Sequence, residues 1–149
     1  MGERDGELLQ RLSDIEEIKQ LKARFFWALD HQEWDAYGQA FASDAHLEVP
    51  EGNVSVHGRE AIVASVSGAL VGARTVHHGH MPDIEVTGPG TARGVWAMTD
   101  YVEFASPGGG RGVGLRGYGH YIEEYVREGG QWRIKHLHLS RLRIDPLGS

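Results

Sequence analysis

The sequence predicts an α+β fold in which a strongly curved, mainly antiparallel sheet wraps around a long N-terminal helix to form a cone-shaped barrel. Apolar residues recur with a helical period in the first third of the chain, and strand-like alternation fills the second half. Glycines at 114, 117 and 119 interrupt one long strand and would let it bend. A curved sheet on an amphipathic helix leaves an apolar mouth, which is a usual ligand site.

The composition indicates one globular domain spanning residues 1–149, because 149 residues can bury one sizeable core. The formal net charge is −6 and no basic cluster offsets it, so we expect no nucleic-acid partner. The absence of cysteine excludes disulfides and thiolate metal sites, and fits a cytoplasmic location. No secretory signal and no run of 18 apolar residues is visible, so we expect no membrane association.

Three helices are predicted before the period changes. The first covers about 14–30, begins at the capping box "SDIE" of residues 13–16, and buries one apolar stripe. That stripe consists of Ile15, Ile18, Leu21, Phe25, Phe26 and Leu29. A second short helix carries Trp34, Gly38 and Phe41 on one side, and the third covers 58–70. Between the last two, 45–50 and 54–58 read as two short strands around the turn 51–53.

The second half of the chain predicts four long strands. They cover residues 74–86, 91–105, 114–128 and 131–145. The turn "TGPG" joins the first two, and "SPGGGRG" at 106–112 is a glycine-rich loop on the rim. Gly129 and Gly130 indicate a tight hairpin between the last two strands.

The segment "TVHHGHM" at residues 75–81 places three histidines at the start of an apolar strand. In a strand, His77 points to one face, whereas His78 and His80 point to the other. Alternation alone does not say which face is inward. Asp30 ends the first helix four residues after Phe26, at the edge of the buried stripe. Because an acid is unfavourable at a helix C-terminus, its position favours a functional reason.

A metal site is the first alternative for these histidines. His78-x-His80 and His136-x-His138 each place two imidazoles on one strand face, and together they could form a four-histidine site. No acidic ligand accompanies either pair at a diagnostic spacing, and three helices precede them, unlike in a cupin. We therefore predict no metal and no cofactor. The glycines of 108–112 lack the Gly-Lys-Ser/Thr of a phosphate loop, and no G-x-S-x-G is present.

Four segments in one order resemble the SnoaL-like branch of the nuclear transport factor 2 superfamily. They are "ARFFWALDHQEWDAYGQAFASDAHLEV", "GREAI", "RTVHHGHMPDIEVTGPGTARG" and "GHYIEEYVREGGQWRIKHLHLSRL". The likeness covers roughly residues 8–145. The pattern is most similar to the group that holds scytalone dehydratase, a bile-acid dehydratase and hexachlorocyclohexane dehydrochlorinase. This resemblance implies a cone fold and a homo-oligomer, a dimer or trimer.

The resemblance also implies a catalytic pair. The family's aspartate at the end of the first long helix matches Asp30, and its strand histidine matches His77 rather than His78. Two departures matter: Leu29 stands where scytalone dehydratase has a tyrosine, and Phe25 stands where the dehydrochlorinase has a lysine. The second pocket histidine of scytalone dehydratase falls near 116–120.

An aspartate–histidine pair is suited to removing a C–H proton next to a carbonyl or aromatic system. We therefore expect a cofactor-independent dehydratase-like lyase or an isomerase that acts on an apolar, ring-containing small molecule. The expected binding residues are Phe26, Trp27, Trp96 and Met98 as walls, with Tyr101, Tyr118 and His120 as possible hydrogen-bond donors. Two alternatives stay open: a non-catalytic domain that binds a small molecule or a partner, and an isomerase of the ketosteroid type with Asp100 as its base.

Overall fold

The computed structural model describes residues 2–106, 108 and 113–148. Its helices are α1 (Glu3–His31), α2 (Trp34–Gln39) and α3 (Arg59–Ala69), with a 3₁₀ turn at Pro50–Gly52. Its strands are β1 (Phe41–Val49), β2 (Val54–His57), β3 (Arg74–Gly88), β4 (Thr91–Glu103), β5 (Gly114–Glu128) and β6 (Gln131–Leu147). Most of the predicted loop 106–112 lies outside the described residues.

Helix α1 begins about three turns earlier than the sequence pattern indicated. Ser13 lies inside the helix, so the predicted capping box is wrong as a helix start. The first turns are rich in leucine, glutamate and arginine, which favour the helix without packing against the sheet. Leu8, Leu9 and Leu12 are exposed there. Burial begins at Asp14, one residue before Ile15, the first member of the predicted stripe, which is half-buried.

The six strands form one mixed sheet in the order β2-β1-β6-β5-β4-β3. The β1–β6 pair is parallel and every other pair is antiparallel, which confirms the predicted α+β class with a mainly antiparallel sheet. Strand β1 starts at Phe41, a residue that the sequence pattern assigned to the second helix. Gly129 and Gly130 both have positive φ and make the expected hairpin turn between β5 and β6.

The core lies between α1 and the inner face of the sheet. Ile18, Leu21, Phe25 and Leu29 of α1 are buried in it. Lys22 lies in the same stripe and is fully buried, a feature that an apolar pattern does not predict. Burying such a stripe against a sheet is the main source of stability for a helix in this arrangement.

Glycines of β5 allow the strands to approach each other closely. A Cβ built on Gly117 would lie 2.1 Å from Asp100 Oδ1, and one on Gly119 would lie 2.0 Å from the Ser140 carbonyl oxygen. The β5–β6 register shifts between Tyr118 and Gly119. These two glycines therefore mark places where the sheet bends and a side chain does not fit.

Within the described residues, no helix combines the length and apolar character that crossing a bilayer requires.

Candidate active site

Asp30 and His77 meet at the inner face of the sheet. His77 Nδ1 lies 2.7 Å from Asp30 Oδ1, and the His77 backbone N–H donates to Oδ2 over 2.9 Å. The Thr75 hydroxyl donates to Oδ1 over 2.9 Å. The last turn of α1 thus places the carboxylate against β3, and alternation along β3 turns Thr75 and His77 towards it.

The charge on Asp30 determines which nitrogen of His77 carries the proton. Burial alone would raise the pKa of Asp30, but the hydrogen bonds from His77 and Thr75 outweigh it, so the pKa lies below its ordinary value. An ionised carboxylate accepts hydrogen bonds only, so Nδ1 of His77 must donate. The neutral ring then carries its free lone pair on Nε2.

A second ion pair lies next to that lone pair. His77 Nε2 is 3.9 Å from Asp100 Oδ2, which is beyond hydrogen-bond distance. Asp100 Oδ2 accepts from Arg141 Nη2 over 2.5 Å, and the Asp100 side chain is fully buried. Among the described residues, Asp100 Oδ1 and Arg141 Nε are buried without a hydrogen-bond partner. Buried polar atoms of this kind are uncommon in native proteins, and a catalytic role is one explanation for them.

A cavity of about 300 Å³ opens beside these groups. His77 and Arg141 belong to its wall, and most of the other lining side chains are apolar or aromatic. The apolar members include Leu29, Leu47, Val102, Leu115, Leu137 and Leu139. Tyr37 and Tyr121 also line it, and burial raises the pKa of Tyr121 well above its ordinary value, which keeps its hydroxyl protonated. The arrangement joins one imidazole, one guanidinium and two phenols to an apolar chamber.

Three of the predicted wall residues pack elsewhere in the core. Among the described residues, the cavity wall does not include Phe26, Trp96 or Met98. Trp96 is buried and donates from Nε1 to the Tyr125 hydroxyl over 2.9 Å. Phe26 packs with Trp96 over Gly79, where an added Cβ would lie 2.8 Å from the Phe26 ring. These side chains face inward, as expected, but they fill the cone beside the cavity and do not line it.

The other four predicted binding residues face away from the cavity. Trp27 is 62% exposed and stacks on His31. Tyr101 bonds Glu103 on the same strand. Tyr118 is exposed and His120 is half-buried, on the opposite face of β5 from the inward residues Gly117, Gly119 and Tyr121. Side chains along a strand alternate between its two faces, so the predicted residues Tyr118 and His120 both lie on the outer face.

Arg141, Tyr37 and Tyr121 line the cavity but were not predicted from the sequence. A signal for Arg141 was present, since Leu137, Leu139 and Arg141 follow one another with period two on β6. An arginine that continues an apolar inner face has to be buried and paired. The partner, Asp100, comes from β4 two strands away, which spacing along the chain does not reveal.

The four histidines of the metal alternative, two on β3 and two on β6, do not lie together in the sheet. β3, which carries His78 and His80, is separated from β6 by β4 and β5 in the sheet. His78 and His80 are exposed on the outer face of β3, whereas His77 points inward. This explains why only one imidazole of the three reaches the cavity.

Comparison with known proteins agrees with this architecture. The sequence profile of the SnoaL-like domain matches residues 10–138. The chain belongs to the SnoaL-like family.

Solved structures that resemble this SnoaL-like chain include two dehydrochlorinases. A type 2 hexachlorocyclohexane dehydrochlorinase aligns with a TM-score of 0.81 and 20% identity, covering 94% of this chain and 93% of that one. The type 3 enzyme of Novosphingobium barchaimii aligns with a TM-score of 0.76 and 20% identity, covering 93% of both chains. A candidate scytalone dehydratase of Novosphingobium aromaticivorans aligns with a TM-score of 0.78 and 20% identity, covering 90% and 87%. At this level of identity the similarity shows the fold.

Proposed function

We propose that this SnoaL-like protein is a cofactor-independent lyase or isomerase in which His77 removes a proton from carbon. The observation that carries the proposal is the orientation of His77: its Nδ1 is bound by the Asp30 carboxylate while the ring lines an apolar cavity. An imidazole held in this tautomer presents a base to whatever occupies the cavity. The relatives named above include enzymes for elimination reactions, which supports the same class.

The proposed step begins with transfer of a C–H proton from a carbon next to a carbonyl to His77 Nε2. Asp30 stabilises the imidazolium that results, as the aspartate of a catalytic triad does. The C–H electron pair forms a C=C bond as a β-hydroxyl departs, and the proton then joins the leaving hydroxide to give water. If the proton returns to a different carbon, the product is an isomer. Both routes restore neutral His77 and need no cofactor.

Arg141 is the proposed stabiliser of negative charge on oxygen. Its guanidinium is always charged and lies in the cavity wall, where the low dielectric strengthens its attraction to an oxyanion. Asp100 holds the guanidinium in place through the 2.5 Å contact. The Tyr121 hydroxyl is a second candidate donor in the same wall. Within this proposal, the carboxylate of Asp100 orients Arg141 and does not act as the base.

The cavity limits the substrate to a compact molecule. About 300 Å³ is at the small end of ligand sites and fits a one- or two-ring compound. The mostly hydrocarbon wall favours an apolar ring system, and its few polar groups, including His77 and Arg141, favour a single ketone with a β-hydroxyl. A homo-oligomer and a cytoplasmic location remain predictions from the sequence, and the substrate class is a proposal.

The test is a reaction screen in D₂O with cyclic β-hydroxy ketones and cyclic enones of one or two rings. Mass spectrometry records loss of water and gain of deuterium on carbon. We expect turnover by the wild type, and large losses in His77→Gln and Asp30→Asn. His78→Gln, on the opposite face of the same strand, and Asp35→Asn, exposed on α2, are matched controls that should keep full activity.

Three outcomes would contradict the proposal. Tight binding of these ketones without exchange or turnover would establish the non-catalytic alternative. Full activity in folded His77→Gln together with loss in Asp100→Asn would make Asp100 the base. Equal losses in His77→Gln and His78→Gln would remove the specific role of the inward imidazole.

A further inference from the structure

The outer face of the sheet carries a cluster of histidines that the cavity does not use. It comprises His46 and Glu48 of β1, His57 of β2, and His136 and His138 of β6. The strands are adjacent in the order β2-β1-β6. His46 is paired in register with both His57 and His136, and Glu48 is paired with His138. Because paired residues share a face, the strand pairing alone brings four imidazoles together around one carboxylate.

Distances within this outer cluster are those of a preformed ligand set. Glu48 Oε1 lies 2.5 Å from His136 Nε2, 3.5 Å from His46 Nδ1 and 3.9 Å from His138 Nδ1. One ligand atom each from His46, Glu48 and His136 can be chosen so that all three lie within 4.8 Å of one another. Each of these side chains is between a quarter and a third exposed, so an ion from solution can reach them.

Neighbouring groups hold the imidazoles of the outer cluster in place. His57 stacks on His46 with ring centroids 3.9 Å apart, and His136 lies parallel to His46 at 4.9 Å. The Ser55 hydroxyl is 2.9 Å from His46 Nε2, which leaves His46 Nδ1 facing Glu48. A hydrogen bond on the far nitrogen is the usual way in which proteins fix a metal-binding histidine.

We propose that His46, Glu48 and His136 bind one Zn²⁺ ion on the outer face of the sheet. Two imidazoles and a carboxylate are a donor set that zinc accepts, with a fourth position left for water or for His138. Hard ions such as Mg²⁺ prefer oxygen ligands and should bind far more weakly. Spacing along the sequence does not reveal this set of three ligands, because its acidic member, Glu48 of β1, lies 88 residues before His136.

The position of this zinc site gives it a structural consequence. Leu47 and Leu137 alternate with the ligands on β1 and β6, and both line the cavity on the other side of the sheet. Bound zinc would therefore join β1 to β6, the sole parallel pair among the described strands, directly behind the cavity wall. It would stabilise the wall without touching the substrate.

The test is calorimetric titration of ZnCl₂ into chelator-treated, tag-free protein, with MgCl₂ as the comparison ion. We expect one Zn²⁺ per chain with micromolar or tighter affinity, a higher melting temperature with zinc, and no comparable response to Mg²⁺. Removing one ligand by His136→Gln or Glu48→Gln should weaken zinc affinity by at least about tenfold. The double variant His78→Gln/His80→Gln removes the exposed pair on β3 and should leave the affinity within about twofold of the wild type.

Four results would overturn the site. They are absence of zinc binding by the wild type, unchanged affinity in both folded ligand variants, loss of affinity in the β3 double variant, and a stoichiometry of one ion per two chains. Circular dichroism of each variant separates loss of a ligand from loss of fold. If His136→Gln does not fold, Glu48→Gln and His46→Gln decide the question, because both lie on the exposed side of β1.

Discussion

In the part of the chain that the structure describes, two ion pairs lie inside the cone, and they differ in how completely their polar atoms are hydrogen-bonded. Lys22 and Glu123 are both fully buried and are joined over 2.7 Å. Glu123 also accepts from the Tyr125 hydroxyl, and Lys22 lies 3.8 Å from the ring centroids of Phe25 and Tyr121. The Asp100 side chain is fully buried and that of its partner Arg141 is 11% exposed, but each keeps one buried polar atom without a partner among the described residues.

This difference distinguishes an ion pair that stabilises the fold from one that we propose takes part in the reaction. A buried charge is tolerated when every bond around it is made, and such a network rigidifies the fold. The unbonded Asp100 Oδ1 and Arg141 Nε belong instead to a pair that lies next to His77, and both His77 and Arg141 line the cavity. We therefore assign the Lys22–Glu123 pair to holding α1 against the sheet, and the Asp30, His77, Asp100 and Arg141 group to the proposed reaction.

The largest expected effect is the loss of activity in His77→Gln. Removing a general base typically lowers the rate by about 10²–10⁴-fold, or roughly 3–5 kcal/mol in transition-state energy. The free energy of unfolding should change by less, since the ring is at the cavity wall. Parallel measurement of turnover and urea denaturation checks the separation. A loss of stability as large as the loss of activity would show that His77 stabilises the fold and would contradict its role as the base.

Lys22→Met should have the opposite profile. It leaves the Glu123 carboxylate buried without its cation, and breaking a buried pair typically costs about 3–5 kcal/mol. The double variant Lys22→Met/Glu123→Gln should recover much of that loss, because no unpaired charge remains. Urea denaturation of the wild type, Lys22→Met, Glu123→Gln and the double variant provides the double-mutant cycle. A double variant that is less stable than both single variants would contradict this assignment.

Gly117→Ala should disturb the reactive group selectively. The added Cβ would meet Asp100 Oδ1 at 2.1 Å and Arg141 Nε at 2.6 Å, so the ion pair must shift. Inserting one methyl group into a packed site typically costs about 1–3 kcal/mol. We expect activity to fall by more than the stability loss explains. Gly130→Ala is unsuitable as a control because of its positive φ, whereas Gly68→Ala in α3 meets no atom within 4 Å and should be near neutral.

The smallest expected effect concerns a third pair at the rim, Asp14 with Arg127. Burial alone would raise the pKa of Asp14, but hydrogen bonds from Arg127, Gln10 and Trp132 outweigh it and lower the pKa below 3.8. Asp14→Asn should therefore destabilise the protein by about 1–2 kcal/mol near neutral pH. Since the folded pKa is the lower one, this difference is fully present above the unfolded pKa and is lost as pH falls through the folded value.

Urea denaturation of wild type and Asp14→Asn from pH 7 downwards measures that dependence. The difference in free energy of unfolding between the two proteins should stay constant until the pH approaches 3.8 and should then decrease. A difference in unfolding free energy that increases in acid would show that the folded state does not stabilise the Asp14 carboxylate.

The sequence predicted the elements of this fold well because period and turn residues are local signals. Four members of the predicted stripe from Ile15 to Leu29 are buried, and Ile15 and Phe26 are half-buried. The hairpin at Gly129–Gly130 is confirmed. The start of α1 was wrong, since residues 3–12 form helix without an apolar stripe that faces the sheet. An apolar stripe reveals only the helical turns that pack against the core, and the turns formed by residues 3–12 do not pack against the sheet.

The candidate site was only partly accessible from the sequence. Contact between Asp30 and His77 followed from the resemblance, and their role remains a proposal. Arg141, Asp100 and the outer histidine cluster depend on which strands are neighbours and on register shifts at Tyr118–Gly119 and Phe41–His46. A shift of one residue moves a side chain to the other face, so strand pairing must be known before these groups can be placed together.

The central claim is that Asp30 fixes His77 as a base whose free nitrogen is Nε2. Nitrogen-15 NMR of the imidazole ring, assigned with His77→Gln, measures it directly and needs no substrate. In the neutral ring of the wild type we predict a protonated Nδ1 and an unprotonated Nε2, and Asp30→Asn should reduce the share of that tautomer. A neutral His77 protonated at Nε2 in the wild type would contradict the account.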